Sequence, residues 1–122
     1  MAITLIIVDD QPSIRRAVKE CLALEPDVRI VGEAEDGAEG LALARELRPD
    51  VVLTDIKMAG IDGFGVAEEV RRSLPGTRVI FLTVYDTPAN REHARQAGAS
   101  AFVAKHEPAE ALLAAVLMRD GS

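Results

Sequence analysis

Basic residues are in short supply in this chain. Lys and Arg total 14 against 20 Asp and Glu, a formal net charge of −6. Phosphate backbones select proteins with a basic footprint, so this domain should not bind nucleic acid by itself. Any action on DNA must come from another domain. Cysteine is almost absent. Cys21 alone permits neither an internal disulfide nor a cysteine zinc cluster, and is read as a small apolar helix residue. No apolar run approaches the ~20 residues that cross a bilayer. The opening "MAITLIIVDD" lacks a basic n-region, which excludes a signal peptide and makes the cytoplasm the expected location. Internal repeats, low-complexity tracts and linkers are also missing.

What remains is an ordinary globular composition of 122 residues, 48% apolar and 28% charged, long enough for one domain with a real core. Short apolar runs alternate with helical patterns. Strands are expected at Thr4–Val8, Val28–Val31, Val51–Thr54, "RVIFLT" and "SAFVA". Pro12 suits the first turn of a helix carrying Ile14, Val18, Cys21 and Leu22. "DG" at Asp36–Gly37 opens a second helix, with Leu41, Leu43 and Leu47, that Pro49 stops. "MAGIDG" reads as a loop, and Val66, Ala67 and Val70 mark a third helix. Pro88 begins a fourth, with Gly98 as its C-cap, and Pro108 begins a fifth. Such βα alternation makes a parallel sheet with helices on both faces, which the nearly continuous apolar strands support.

Ligands of open α/β sheets bind outside the carboxyl ends of the strands. Strand one ends in Asp9 and Asp10, strand three in Asp55 and strand four in Thr83, while Lys105 closely follows strand five. Sheet direction alone brings these groups to one edge. Taken singly each has a plainer reading: Asp9–Asp10 as a helix cap, Thr83 as a strand-end hydroxyl, Lys105 as a solvated lysine. Together they ask for a cation. Mg²⁺ prefers one or two carboxylates plus waters and phosphate oxygens. Mg²⁺, a lysine and a hydroxyl suit a phosphoryl group. A carboxylate can itself be the nucleophile. Asp55 is the natural candidate, because the paired acids of strand one would hold the metal.

The segments "VDDQP", "LTDIKMAGIDG", "FLTV" and "AFVAK" resemble, in order and across essentially the whole chain, the receiver domain of two-component response regulators. The resemblance implies a doubly wound, flavodoxin-like α/β fold, with five strands in the order 2-1-3-4-5 and five helices. It covers residues 1–122 as one receiver domain, with the output domain outside this chain. It implies that Asp55 accepts a phosphoryl group from a histidine kinase. Asp9, Asp10, Asp55 and the backbone carbonyl of Lys57 would bind Mg²⁺, Asp10 more directly than Asp9. Thr83 would turn its hydroxyl to the aspartyl phosphate and Lys105 would pair with a phosphate oxygen. Phe102 occupies the aromatic switch position and lacks the hydroxyl of a tyrosine. The result is a binding switch with self-phosphorylation and slow autodephosphorylation, rather than a turnover enzyme. The style of the sequence is similar to receivers that precede a helix-turn-helix output domain, so transcription is the expected output.

Three positions depart from the common pattern. Met58-Ala59 replaces Met-Pro, and Val84 replaces a smaller residue after Thr83. His106 replaces the proline after the lysine; a cis bond there would cost about 2.5–4 kcal/mol, so trans is expected. Lys57, Val84 and Tyr85 flank the site as modulators of phosphate lifetime. His93 and His106 lack metal-ligand partners and are expected at the surface. The fourth helix is apolar-poor, with Ala94 and Ala97, and should be loosely held. The fifth, "PAEALLAAVLM", has apolar residues to spare. That makes it a candidate homodimer surface, alone or with helix four and strand five, unless the surplus is simply buried. Rival readings are a Mg²⁺-dependent phosphohydrolase, a single-domain regulator acting only by protein binding, and a pseudo-receiver that needs no phosphate.

Overall fold

The computed structural model describes residues 2–118. The elements run β1 (Ile3–Val8), α1 (Pro12–Leu22), β2 (Val28–Ala34), α2 (Gly37–Leu47), β3 (Val51–Thr54), α3 (Gly63–Ser73), β4 (Arg78–Thr83), α4 (Pro88–Gln96), β5 (Ala101–Ala104) and α5 (Ala109–Leu117). All neighbouring strands are parallel, in the order β2-β1-β3-β4-β5. The fold expected from the resemblance is the fold observed. Strand β2 runs three residues beyond the expected Val31, and Pro108 caps α5 instead of opening it.

Alternation along the strands builds two cores. Leu5, Ile7, Val51, Leu53, Ile80 and Val103 face α1 and α5, where Val18, Leu22, Leu112 and Val116 meet them. Ile6, Val8, Val52, Val79 and Phe81 face α2, α3 and α4. Strands β1 and β3 carry apolar residues on both sides because both faces are covered.

Local chemistry sets the helix ends. Pro12 occupies the first turn of α1, and the Asp36, Asp62 and Thr87 side chains accept from the backbone N–H groups of Glu39, Gly65 and Asn90. Ala97 caps the C-terminus of α4, and Gly98 follows in the left-handed region at φ 91°. Helix α4 buries only Ala94 within its span, whereas α3 buries five residues. Helix α5 places Leu112, Ala115 and Val116 in the core and half-buries Leu113 and Leu117. Its apolar surplus is therefore largely absorbed by packing; the exposed large apolar residue nearby is Met118, just past the helix.

Candidate functional site

The sheet itself sets the candidate site residues at its carboxyl edge. The Asp9 N–H donates to the Ala34 carbonyl at 3.0 Å, that of Asp55 to Val8 at 3.1 Å and that of Lys105 to Thr83 at 2.8 Å. Each residue thus extends its strand by one more inter-strand hydrogen bond, so its backbone position is set by pairing. A second anchor fixes Asp55. The Gly63 N–H donates to the Ile56 carbonyl at 2.7 Å, and a Cβ on Gly63 would lie 2.2 Å from the Asp55 carbonyl oxygen. Only glycine allows α3 to start this close to the Asp55 backbone.

The side chains meet around one ammonium. Lys105 Nζ lies 3.0 Å from Asp55 Oδ2 and 3.3 Å from Asp9 Oδ2, and both carboxylates are only 4% exposed. The remaining oxygens also have donors: Ile56 N–H to Asp55 Oδ1 at 2.6 Å, and Gln11 N–H to Asp9 Oδ1 at 2.9 Å. Burial pushes the Asp9 carboxyl above the usual carboxylate range, against the Gln11 N–H and the Lys105 charge, while the Asp55 charge adds to the rise. Thr83 is fully buried, and its hydroxyl oxygen accepts from the Tyr85 N–H at 3.1 Å.

The adjacent acids divide. Asp9 faces Lys105, whereas Asp10 is exposed and lines an open cleft of 330 Å³ with Asp55, Lys57, Met58, Val84 and Tyr85. The rim is tied across its two loops, since Lys57 Nζ sits 4.5 Å from the centre of the Tyr85 ring. No histidine or cysteine lines the cleft. Among the described residues, no three Asp, Glu, His or Cys side chains form a ready-made cage. Two carboxylates on an open cleft suit a small hard cation that keeps waters and takes further oxygens from a ligand, as Mg²⁺ does.

Such an edge can hold a divalent cation and offer Asp55 as an oxygen nucleophile beside a fixed positive charge. The family model for the response regulator receiver domain matches residues 5–117, nearly the whole chain. The chain belongs to this family. The receiver domain is 39% identical over 115 residues to the transcriptional regulatory protein NarL of Mycobacterium tuberculosis, covering 94% of this chain and 53% of that protein. It is 33% identical over 114 residues to the transcriptional regulatory protein DegU of Brevibacillus brevis, covering 93% and 48%. The chain therefore spans about half the length of the curated relatives it matches. Among solved structures, the signal receiver domain of M. tuberculosis NarL superposes with a TM-score of 0.88 at 37% identity, covering 97% of this chain and 98% of that one.

In this receiver domain, Asp9, Asp55 and Lys105 are in direct contact, with Thr83 at the neighbouring strand end and Asp10, Lys57, Val84 and Tyr85 around the cleft. Phe102 is half-buried and stands outside that cluster. Its ring meets Phe81 edge-on, 6.4 Å between centroids, and carries the Arg91 guanidinium 4.7 Å above it. Arg91 is held in turn by Asp86, with Nε–Oδ1 at 2.6 Å. His93 is exposed, as expected, yet its ring stacks on Phe64 at 3.7 Å. His106 is exposed, and the described residues contain no cis peptide bond. No helix among them is long and apolar enough to cross a membrane.

Sequence reasoning missed Arg15 and Gly63. The Arg15 guanidinium donates to the Asp9 carbonyl, and nothing in "SIRRAV" distinguishes it from Arg16. Gly63 had a readable signal, because Asp-Gly at the end of "MAGIDG" is a helix cap followed by a small first residue.

Proposed function

We propose that Asp55 is the phosphoacceptor of a signalling switch and takes its phosphoryl group from the phosphohistidine of a histidine kinase. A carboxylate oxygen of Asp55 attacks phosphorus, forming a P–O bond as the P–N bond breaks. The electron pair leaves with the imidazole nitrogen, and the product is an aspartyl phosphate. Lys105, already 3.0 Å from Asp55, follows the charge onto a phosphoryl oxygen. Asp10 and Asp55, with the Lys57 backbone carbonyl and Asp9 behind them, are the groups that would hold Mg²⁺. When bound, that ion offsets the negative charge of the phosphoryl oxygens.

Thr83 is one strand over from Lys105, paired with Ala104. Its hydroxyl, which now accepts from the Tyr85 N–H, would turn to donate to a phosphoryl oxygen, and Phe102 would follow. The surface of α4, β5 and α5 would then shift its population of states. The relatives are named as transcriptional regulators and are about twice as long, so the output we infer is transcription through a further domain.

The observation that carries this reading is the Lys105 ammonium bridging Asp9 and Asp55, with Asp55 also lining an open cleft beside Asp10. The test is intact mass after incubation with Mg²⁺ and acetyl phosphate. One added phosphoryl group is expected, absent without Mg²⁺ and absent in Asp55→Asn. A folded protein that gains none would overturn the proposal, and rapid turnover of phosphate esters would favour a hydrolase.

A further inference from the structure

The acid pair of β1 has a support that its own strand does not supply. Arg15, on the first turns of α1, is only 13% exposed and reaches back over the loop it follows. One terminal nitrogen donates to the Asp9 main-chain carbonyl at 2.6 Å, and Nε donates to Glu33 Oε1 at 3.1 Å. Lys19, one turn further along α1, holds the other Glu33 oxygen at 2.8 Å. Glu33 belongs to β2, the outer neighbour of β1. The guanidinium therefore spans two acceptors, one fixed by the sheet and one on the peptide that joins Asp9 to Asp10. A planar fork with two bonds fixes orientation in a way that one ammonium cannot.

We propose that Arg15 is a positioning residue for divalent-cation binding: by holding the Asp9 carbonyl, it sets the direction in which the chain leaves β1 and so the placement of the Asp10 carboxylate in the cleft. This rests on the reading of Asp10 as a metal ligand. The proposal has a sign that charge alone would reverse. A guanidinium beside an acid pair repels a cation, so simple loss of its charge should tighten Mg²⁺ binding. If positioning dominates, the same loss weakens it. Groups that orient metal ligands typically change affinity by 10–100-fold when removed.

The experiment is calorimetric titration of Mg²⁺ into Arg15→Met, Arg15→Lys and Arg16→Met. Arg16 is exposed on the same turn and removes the same charge without the contact. The expected result is a Kd raised about tenfold in Arg15→Met. Arg15→Lys should also be raised, because lysine keeps the charge and loses the fork. Arg16→Met should stay within about twofold of the parent, short of that positioning effect. Mg²⁺ binding that is unchanged or tighter in Arg15→Met overturns the proposal. If Arg15→Met does not fold, Arg15→Lys decides: a raised Kd supports the proposal, and an unchanged or tighter one overturns it. A second readout uses no metal: the backbone amide resonances of Asp10 and Gln11 should move in Arg15→Met and stay in Arg16→Met. Resonances unmoved in Arg15→Met would equally overturn it. A parent protein that binds no Mg²⁺ would sink the proposed metal site, while the amide resonances would still decide the role of Arg15.

Discussion

Replacing Lys105 with methionine is the most searching perturbation of the buried charges. Its side chain is 11% exposed, and its ammonium stands between two Asp side chains that are each 4% exposed. Methionine keeps much of the aliphatic stem and removes the charge. Leaving a buried ion pair with one partner costs about 3–5 kcal/mol. Here two carboxylates lose their cation, yet the cleft beside Asp55 lets solvent relieve part of the cost. We therefore expect a loss of about 3 kcal/mol in the metal-free protein. For a chain of this length, that lowers the melting temperature by about 10–15 °C. Urea unfolding without metal is the assay. Mg²⁺ should restore more stability to Lys105→Met than to the parent, because a bound cation resumes the charge balance. Adding Asp55→Asn should offset part of the loss, since it removes one of the two opposed charges. A loss below about 1 kcal/mol, the worth of an exposed pair, would refute the reasoning.

Gly63→Ala should cost at least about 2 kcal/mol by urea unfolding, since its Cβ would meet the Asp55 carbonyl oxygen at 2.2 Å with no rotamer to relieve it; a variant as stable as the parent would contradict the close approach. Helix α4 should show weaker hydrogen-exchange protection than α3, having one buried residue within its span against five; equal protection would show that it is not the looser element. The raised pKa of Asp9 means that the folded protein holds that proton more tightly than the unfolded chain. Its contribution is therefore unfavourable at neutral pH, and the cost shrinks as pH falls through the folded value towards the ordinary one. Asp9→Asn should accordingly stabilise the metal-free protein at neutral pH, with a gain that fades on acidification; a gain that grows on acidification would show the opposite shift.

Much of this was legible because the relevant physics is local. The apolar runs of β1, β3 and β4, Pro12, and the Asp36 cap name their own elements, and strand direction alone gathers Asp9, Asp55, Thr83 and Lys105. Strand order is different. Pattern does not encode which strands pair, so it came only with the family resemblance. The resemblance implied that Asp10 is the more direct ligand, but the pairing of Asp9 with Lys105 was hidden, because the lysine arrives from beyond β5, nearly a hundred residues away. Long-range side-chain contacts explain the other gaps. His93 reads as a surface histidine and is one, but its stacking on Phe64 depends on how α3 and α4 pack. Arg15 and Arg16 are equivalent in the sequence until α1 is laid beside β2 and one of them turns inward. The apolar excess of α5 left two readings open, an interface or a buried helix, because pattern alone does not give the depth of the groove that receives it.

The central claim is that one carboxylate, Asp55, carries the phosphoryl group. Reduction of the protein with borohydride after reaction with acetyl phosphate and Mg²⁺, followed by peptide sequencing, tests this directly. An acyl phosphate is reduced to the alcohol, converting aspartate to homoserine, whereas a free carboxylate is left untouched. The account predicts homoserine at position 55 and at neither Asp9 nor Asp10. Homoserine at either of those acids, or at none of the three after confirmed phosphorylation, would contradict it.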